Sequence, residues 1–204
     1  MRKLKDRIDS TIIIDKSKFI TTIYPVSTIE EINEILQATN KKYYDATHNC
    51  YAYIIDNGMI QKCSDDGEPS KTAGYPMLDV LKKNNLTNVL AITTRYFGGI
   101  KLGAGGLIRA YSSSVSTALK EAIFLKTKEL AIYEIKLPYS EYSKNVDFWS
   151  TQMIKNQNFL TEVILEIAIY NEDIDNTLEK IKNLTLGKAL ITFLQNELVD
   201  VIDN

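Results

Sequence analysis

Cysteine is scarce in this sequence, with only Cys50 and Cys63 among 204 residues. Two thiols cannot form a metal tetrad, and they supply no disulfide framework. A reduced, cytoplasmic protein is therefore expected, with a single Cys50–Cys63 bridge as the alternative. Long apolar runs are lacking too. No stretch approaches the roughly 18 to 20 residues that a membrane-spanning helix needs, so no membrane partner is expected. The opening, MRKLKDRIDSTIII, is charged and has only one short isoleucine run, which does not read as a signal peptide. There are no internal repeats, low-complexity segments or long linkers. What is present is ordinary for a globular protein, at 45% hydrophobic and 25% charged residues. The length suits one large domain or two small ones.

The net charge of −2 hides an asymmetry. Residues 71–128 hold nine basic against two acidic side chains, a net +7. Residues 129–204 hold six lysines against thirteen acids, a net −7. Opposite fields on two segments suggest two bodies that have different partners or attract each other.

Hydrophobic periodicity divides the chain in the same place. Residues 11–26 read as a strand and its continuation, ending at Pro25. STIEEINEILQ opens a helix, with Ser27 and Glu30 fitting a capping box. NCYAYIID and MIQKCS read as a hairpin around Asp56-Asn57-Gly58. MLDVLKKN is a short helix and NVLAITTRYF a buried strand. A long helix with an apolar stripe from Leu107 to Ala122 follows. After about residue 128 the order becomes strand, helix (SEYSKNVDFWSTQ), short strand at 153–155 turning at 156–158, strand, helix, strand. That β-α-β-β-α-β order is ferredoxin-like. The expected boundaries are 1–128 and 129–204.

Five of the nine glycines crowd into RYFGGIKLGAGGLIRAY: Gly98, Gly99, Gly103, Gly105 and Gly106, among Arg95, Lys101 and Arg109. The run joins a strand to the start of the long helix. A helix N-terminus presents unpaired N–H groups, glycine lets an anion approach them, and arginine matches phosphate geometry. One reading is an anion site, most naturally for phosphate. The other is tight turning and close helix–sheet packing. The spacing is neither G-x-G-x-x-G nor a P-loop.

A second loop, CSDDGEPSKTAGYP, sets Asp65, Asp66 and Glu68 beside Ser70, Lys71 and Thr72. Its carboxylates could hold Mg²⁺, lie solvated in a turn, or pair with Arg95 and Lys101 if the two loops meet. His48, the only histidine, stands two residues from Cys50. A Cys–His nucleophile is conceivable there, but the apolar setting favours a buried structural cysteine. No metal ligand set and no catalytic set is assigned.

SDDGEPSKTAGYPMLDVL followed by NVLAITTRYFGGIKLGAGGLIRAYSSSVSTAL resembles the signature of the IMPACT family, in its bacterial YigZ-like branch, and HNCYAY fits it too. The pattern departs at Lys71, where the family motif carries glycine, which makes this loop less flexible and more basic. The resemblance implies an N-terminal domain with the fold of the second domain of a small-subunit ribosomal protein. Domain IV of the translocating elongation factor and the galactokinase-type kinases share that fold. It also implies a C-terminal domain similar to the ferredoxin-like domains of that factor. Eukaryotic relatives regulate translation by competing for the activator of an amino-acid-starvation kinase, through an extra domain, so that partner is not carried over. For bacterial members the resemblance implies nucleic-acid or ribosome binding.

The expectation is thus a two-domain α+β protein, a binding module rather than an enzyme, with no cofactor. It would act in translation by binding RNA, the ribosome or another anionic partner through its basic glycine-rich face. Two alternatives stand. One is a kinase-like enzyme gripping a small phosphorylated molecule with GAGGLIRAYSSSV. The other is a regulator whose acidic half docks a basic protein.

Overall fold

Residues 1–203 are described by the computed structural model and fall into two units. One comprises residues 1–126 with Ile202 and Asp203, the other Thr127–Val201. Each has its own sheet and core, which makes the protein α+β.

In the first unit a short strand, β1 (Arg2–Leu4), pairs with residues 124–126. The run expected as one strand is a hairpin, β2 (Ile8–Ile14) and β3 (Ser17–Pro25). It turns at Asp15 and Lys16, both in the left-handed region (φ +45° and +64°). Neither residue belongs to the Asn-Gly type of pair that signals such a turn. Helix α1 (Ile29–Lys42) follows, then β4 (His48–Ile55), β5 (Ile60–Ser64), helix α2 (Gly74–Lys83), β6 (Val89–Tyr96) and helix α3 (Gly103–Leu119).

The capping box lies one residue later than expected. Thr28 is the N-cap and accepts from the Glu31 amide at 3.2 Å, while the Glu31 carboxylate accepts from the Ser27 amide at 2.8 Å. The hydroxyl three residues before Glu31 wins because it alone reaches the N3 amide.

The sheet runs β2-β3-β6-β4-β5, antiparallel throughout. Helices cover both faces. Phe19, Ile23, Ala52 and Ala91 pack with Met77 and Leu81 of α2 and Tyr111 and Val115 of α3. Leu90, Ile92 and Tyr53 pack with Ile32 of α1 on the other side. Coverage on both faces explains why β6 reads as an unbroken apolar run rather than an alternation.

The second unit begins with most of β7 (Phe124–Leu137), then helices α4 (Tyr139–Lys144) and α5 (Val146–Ser150), strands β8 (Met153–Phe159) and β9 (Val163–Tyr170), helix α6 (Ile174–Leu184) and β10 (Leu190–Ile202). The strand order β10-β7-β9-β8 is that of the ferredoxin-like arrangement. Two expectations are corrected here. The single helix over SEYSKNVDFWSTQ breaks at Asn145, whose side-chain amide donates to the Glu141 and Leu184 carbonyls instead of pointing outward. The strand expected at 153–155 continues to Phe159, because residues 156–158 pair with β9 after a bulge rather than turning. Trp149 fills the core with Ile135, Leu165 and Ile181. Among the described residues no helix is long and apolar enough to cross a membrane.

The displaced cap gives a direct test. Thr28→Ala should lower stability by about 1 kcal/mol, and Ser27→Ala by only a few tenths, in chemical denaturation.

A candidate anion-binding turn and the buried network behind it

Helix α2 has no capping side chain at Ala73, its N-cap. Asp65 supplies one from a distance. Its Oδ1 accepts from the Ala73 and Gly74 amides at 3.0 and 2.8 Å, and its Oδ2 from the Lys71 amide at 2.7 Å. A carboxylate suits the positive end of a helix. Asp66 serves β4: its carboxylate accepts from the Asn49 amide at 2.6 Å, and His48 Nδ1 donates to its carbonyl at 2.7 Å.

Glu68 is only 8% exposed. Its Oε1 accepts from Arg95 Nη1 at 2.6 Å and from the Tyr111 hydroxyl at 2.8 Å, and His48 Nε2 lies 3.8 Å from Oε2. The loops therefore meet, through Arg95. The carboxylates considered for Mg²⁺ are engaged in holding the fold. Thr72 is buried, with its hydroxyl donating to the Pro69 carbonyl at 2.6 Å, whereas Ser70 is exposed. Lys71 occupies the left-handed region at φ +63°, a conformation that glycine adopts without strain.

Cys50 does not pair with His48. Its thiol donates to the Asp65 carbonyl at 2.9 Å and lies 3.4 Å from the Tyr111 hydroxyl. Burial, reinforced by the Glu68, Asp66 and Asp65 charges, pushes the thiol up to about 12, against a lowering contribution from Tyr111. Tyr111 is also pushed up, by burial first and then by Cys50 and Glu68. A thiol this weakly acidic is not a nucleophile near neutral pH. Periodicity marks Tyr111 only as a core position. Its role as a donor to Glu68 follows from the need of a buried phenol for a partner.

Arg95 does not join the exposed cations. It is 5% exposed, pairs with Glu68, and lies with Nη2 3.4 Å from the Ser17 hydroxyl. Its Nε finds no acceptor among the described residues.

The five glycines divide by role. A Cβ on Gly98 would overlap the Lys16 carbonyl and the Ser17 nitrogen, so this position serves close packing. At Gly106 a Cβ would press on Leu102 Cβ at 3.0 Å. Gly99 and Gly103 have positive φ, +86° and +68°, with open space beside them. Gly105 is open except for Arg109, whose Nη1 lies 3.6 Å from where its Cβ would stand.

Helix α3 thus begins at exposed Gly103, Ala104 and Gly105, with no side-chain cap from Leu102. The first amides of a helix have no intrahelical acceptor. The Arg109 guanidinium lies back over that turn, and exposed Lys101 precedes it. Phe97 is 47% exposed nearby in sequence. Unpaired amides, a positive helix end and a guanidinium together can bind an anion.

A family model described as the Impact N-terminal domain matches residues 15–119. IMPACT family member YvyE of Bacillus subtilis (strain 168) is 42% identical over 191 residues, covering 84% of this chain and 88% of its own. IMPACT family member YigZ of Escherichia coli (strain K12) is 32% identical over 162 residues, covering 76% and 79%. A crystal structure described as that of a hypothetical protein is similar with a TM-score of 0.59 at 27% identity, covering 95% of this chain and 97% of that one.

Two outcomes check the site's construction. Cys50 stays protonated in the fold above the ordinary thiol value of 9.0, up to about 12, while in the unfolded chain it ionises. Its contribution to stability is therefore complete below pH 9 and lost as pH rises towards 12, with a slope of up to about 1.4 kcal/mol per unit. Urea titrations across that range should show a shallower slope in Cys50→Ala. Separately, Gly98→Ala should cost more than about 2 kcal/mol, whereas Gly105→Ala should stabilise by roughly 0.5 to 1 kcal/mol.

Proposed function

This chain belongs to the IMPACT family, and on that premise we propose that it is a translation-linked accessory or regulatory protein that binds RNA through the first turn of α3. The observation that carries this reading is the uncapped, exposed Gly103–Gly105 start of the helix beneath the Arg109 guanidinium. A phosphate there would accept from backbone amides that otherwise meet only water, with Arg109 and Lys101 adding charge. Arginine binds phosphate through a planar fork, so Arg109 fixes orientation as well as attracting.

The surrounding charge supports a polyanion rather than a neutral partner. Residues 71–128 carry +7, of which Arg95, Lys126 and Lys128 are paired with Glu68, Asp203 and Glu172 from outside that window, leaving a net positive charge of about four. Phe97 offers an exposed ring on which an unpaired base can stack, a common mode of single-stranded RNA recognition.

Fluorescence anisotropy with a labelled single-stranded RNA tests this. Affinity should fall linearly with the logarithm of salt concentration, and Arg109→Glu should weaken binding and flatten that slope by about 0.7 or more. Salt-independent binding, or none below about 100 μM at low salt, would falsify the reading.

A further inference from the structure

On the sheet face opposite α2 and α3, helix α1 does not cover the strands completely. A cleft of about 250 Å³ opens between its last turns and the sheet. This is smaller than a drug-sized pocket and suits one nucleobase, with a sugar and phosphate left at its mouth. Thr22 and Thr94 stand in its floor, Tyr24 and Tyr43 at its flanks, and the exposed cations Arg7 and Lys42 complete the lining.

The floor has a definite polarity. The Thr22 hydroxyl donates to Asp9 Oδ1 at 2.7 Å, and the Thr94 hydroxyl donates to Asn49 Oδ1 at 2.7 Å. A hydroxyl has one proton, and both protons are committed, so each oxygen can only accept from anything placed in the cleft. A ligand must bring N–H or O–H donors to this floor. The lining cations ask for the opposite character. Arg7 is partly neutralised by Asp9 at 2.8 Å, but Lys42 makes no ion pair among the described residues, its amine lying 4.7 Å from the centre of the Tyr43 ring. The tyrosines offer flat apolar surface for a ring.

We propose that this cleft binds a nucleoside monophosphate whose base carries an exocyclic amine. The amine donates to the Thr22 and Thr94 oxygens, and the phosphate is held by Lys42 and Arg7. This site is independent of the α3 turn, since α1 and α3 pack on opposite faces of the sheet.

Titrating the full chain with mononucleotides, followed by calorimetry or NMR, tests it. AMP should bind about three- to tenfold more tightly than IMP, and CMP than UMP, the difference of one net hydrogen bond. The exocyclic amine carries two protons, one for each threonine oxygen, whereas IMP and UMP offer a single ring N–H. Adenosine should bind at least about fivefold more weakly than AMP, as should AMP to Lys42→Glu, because each lacks a phosphate–ammonium contact. Ala38→Trp, at an exposed position of α1, should fill the cleft and abolish binding with an unchanged circular dichroism spectrum. Arg109→Glu should leave AMP affinity unaltered. Equal affinity for AMP and IMP, full binding by Ala38→Trp, or loss on Arg109→Glu each overturns the proposal. So does binding confined to RNA chains, with no mononucleotide bound at about 5 mM, since that concentration would reveal even millimolar affinity.

Discussion

One buried carboxylate organises the first unit. Glu68 comes from a loop, yet it sits inside, where it receives the Arg95 guanidinium from the end of β6 and the Tyr111 hydroxyl from α3. Desolvating a charge is expensive, and the arrangement holds because opposite charge and two donors meet the same oxygen. Removing either Arg95 or Glu68 would leave the other buried without its counter-ion, which typically costs about 3 to 5 kcal/mol. Loop, strand and helix are therefore set by a common contact. Asp65 of the same loop caps α2, and the Cys50 thiol donates to the Asp65 carbonyl while lying 3.4 Å from the Tyr111 hydroxyl.

That arrangement decides what the glycine-rich segment can offer. Arg95 and Gly98 belong to the interior: one is spent on Glu68, and the other lets the segment lie against the backbone of Lys16 and Ser17. Beyond them Leu102 still packs against the core, but Gly99 and Gly103 have open space beside them. Gly99 and Gly103 take left-handed turns, and α3 starts in the open with Arg109 folded back over its first turn. Packing and display, which looked like rival explanations of one motif, apply to different glycines within it.

Much of this was legible in the sequence, and the failures have physical causes. Apolar periodicity located α3, β6 and the ferredoxin-like order of the second unit because burial there is regular. The Asp15-Lys16 hairpin was hidden because two non-glycine residues adopt positive φ without the usual signal. The helix break at Asn145 was hidden because it depends on a carbonyl at Leu184, distant in the chain. At the site, the clustered cations and glycines were visible, but which cation is buried was not. Composition cannot show that Glu68 and Arg95 meet, since 27 residues separate them. Lys71 is the converse case, a position where the resemblance led to the expectation of glycine and where lysine adopts a left-handed backbone at φ +63°.

Strand β6 has a further property. Thr94 faces α1 while its neighbour Arg95 faces α2 and α3, and both are fixed by pairing with β3 on one side and β4 on the other. A slip of a single residue would drive the guanidinium towards Ile92's apolar surroundings and leave Glu68 stranded opposite a threonine. In most strands misregistration is penalised by shape alone. Here it would also separate two charges in a dry interior, so electrostatics as well as packing enforces the alignment of the sheet.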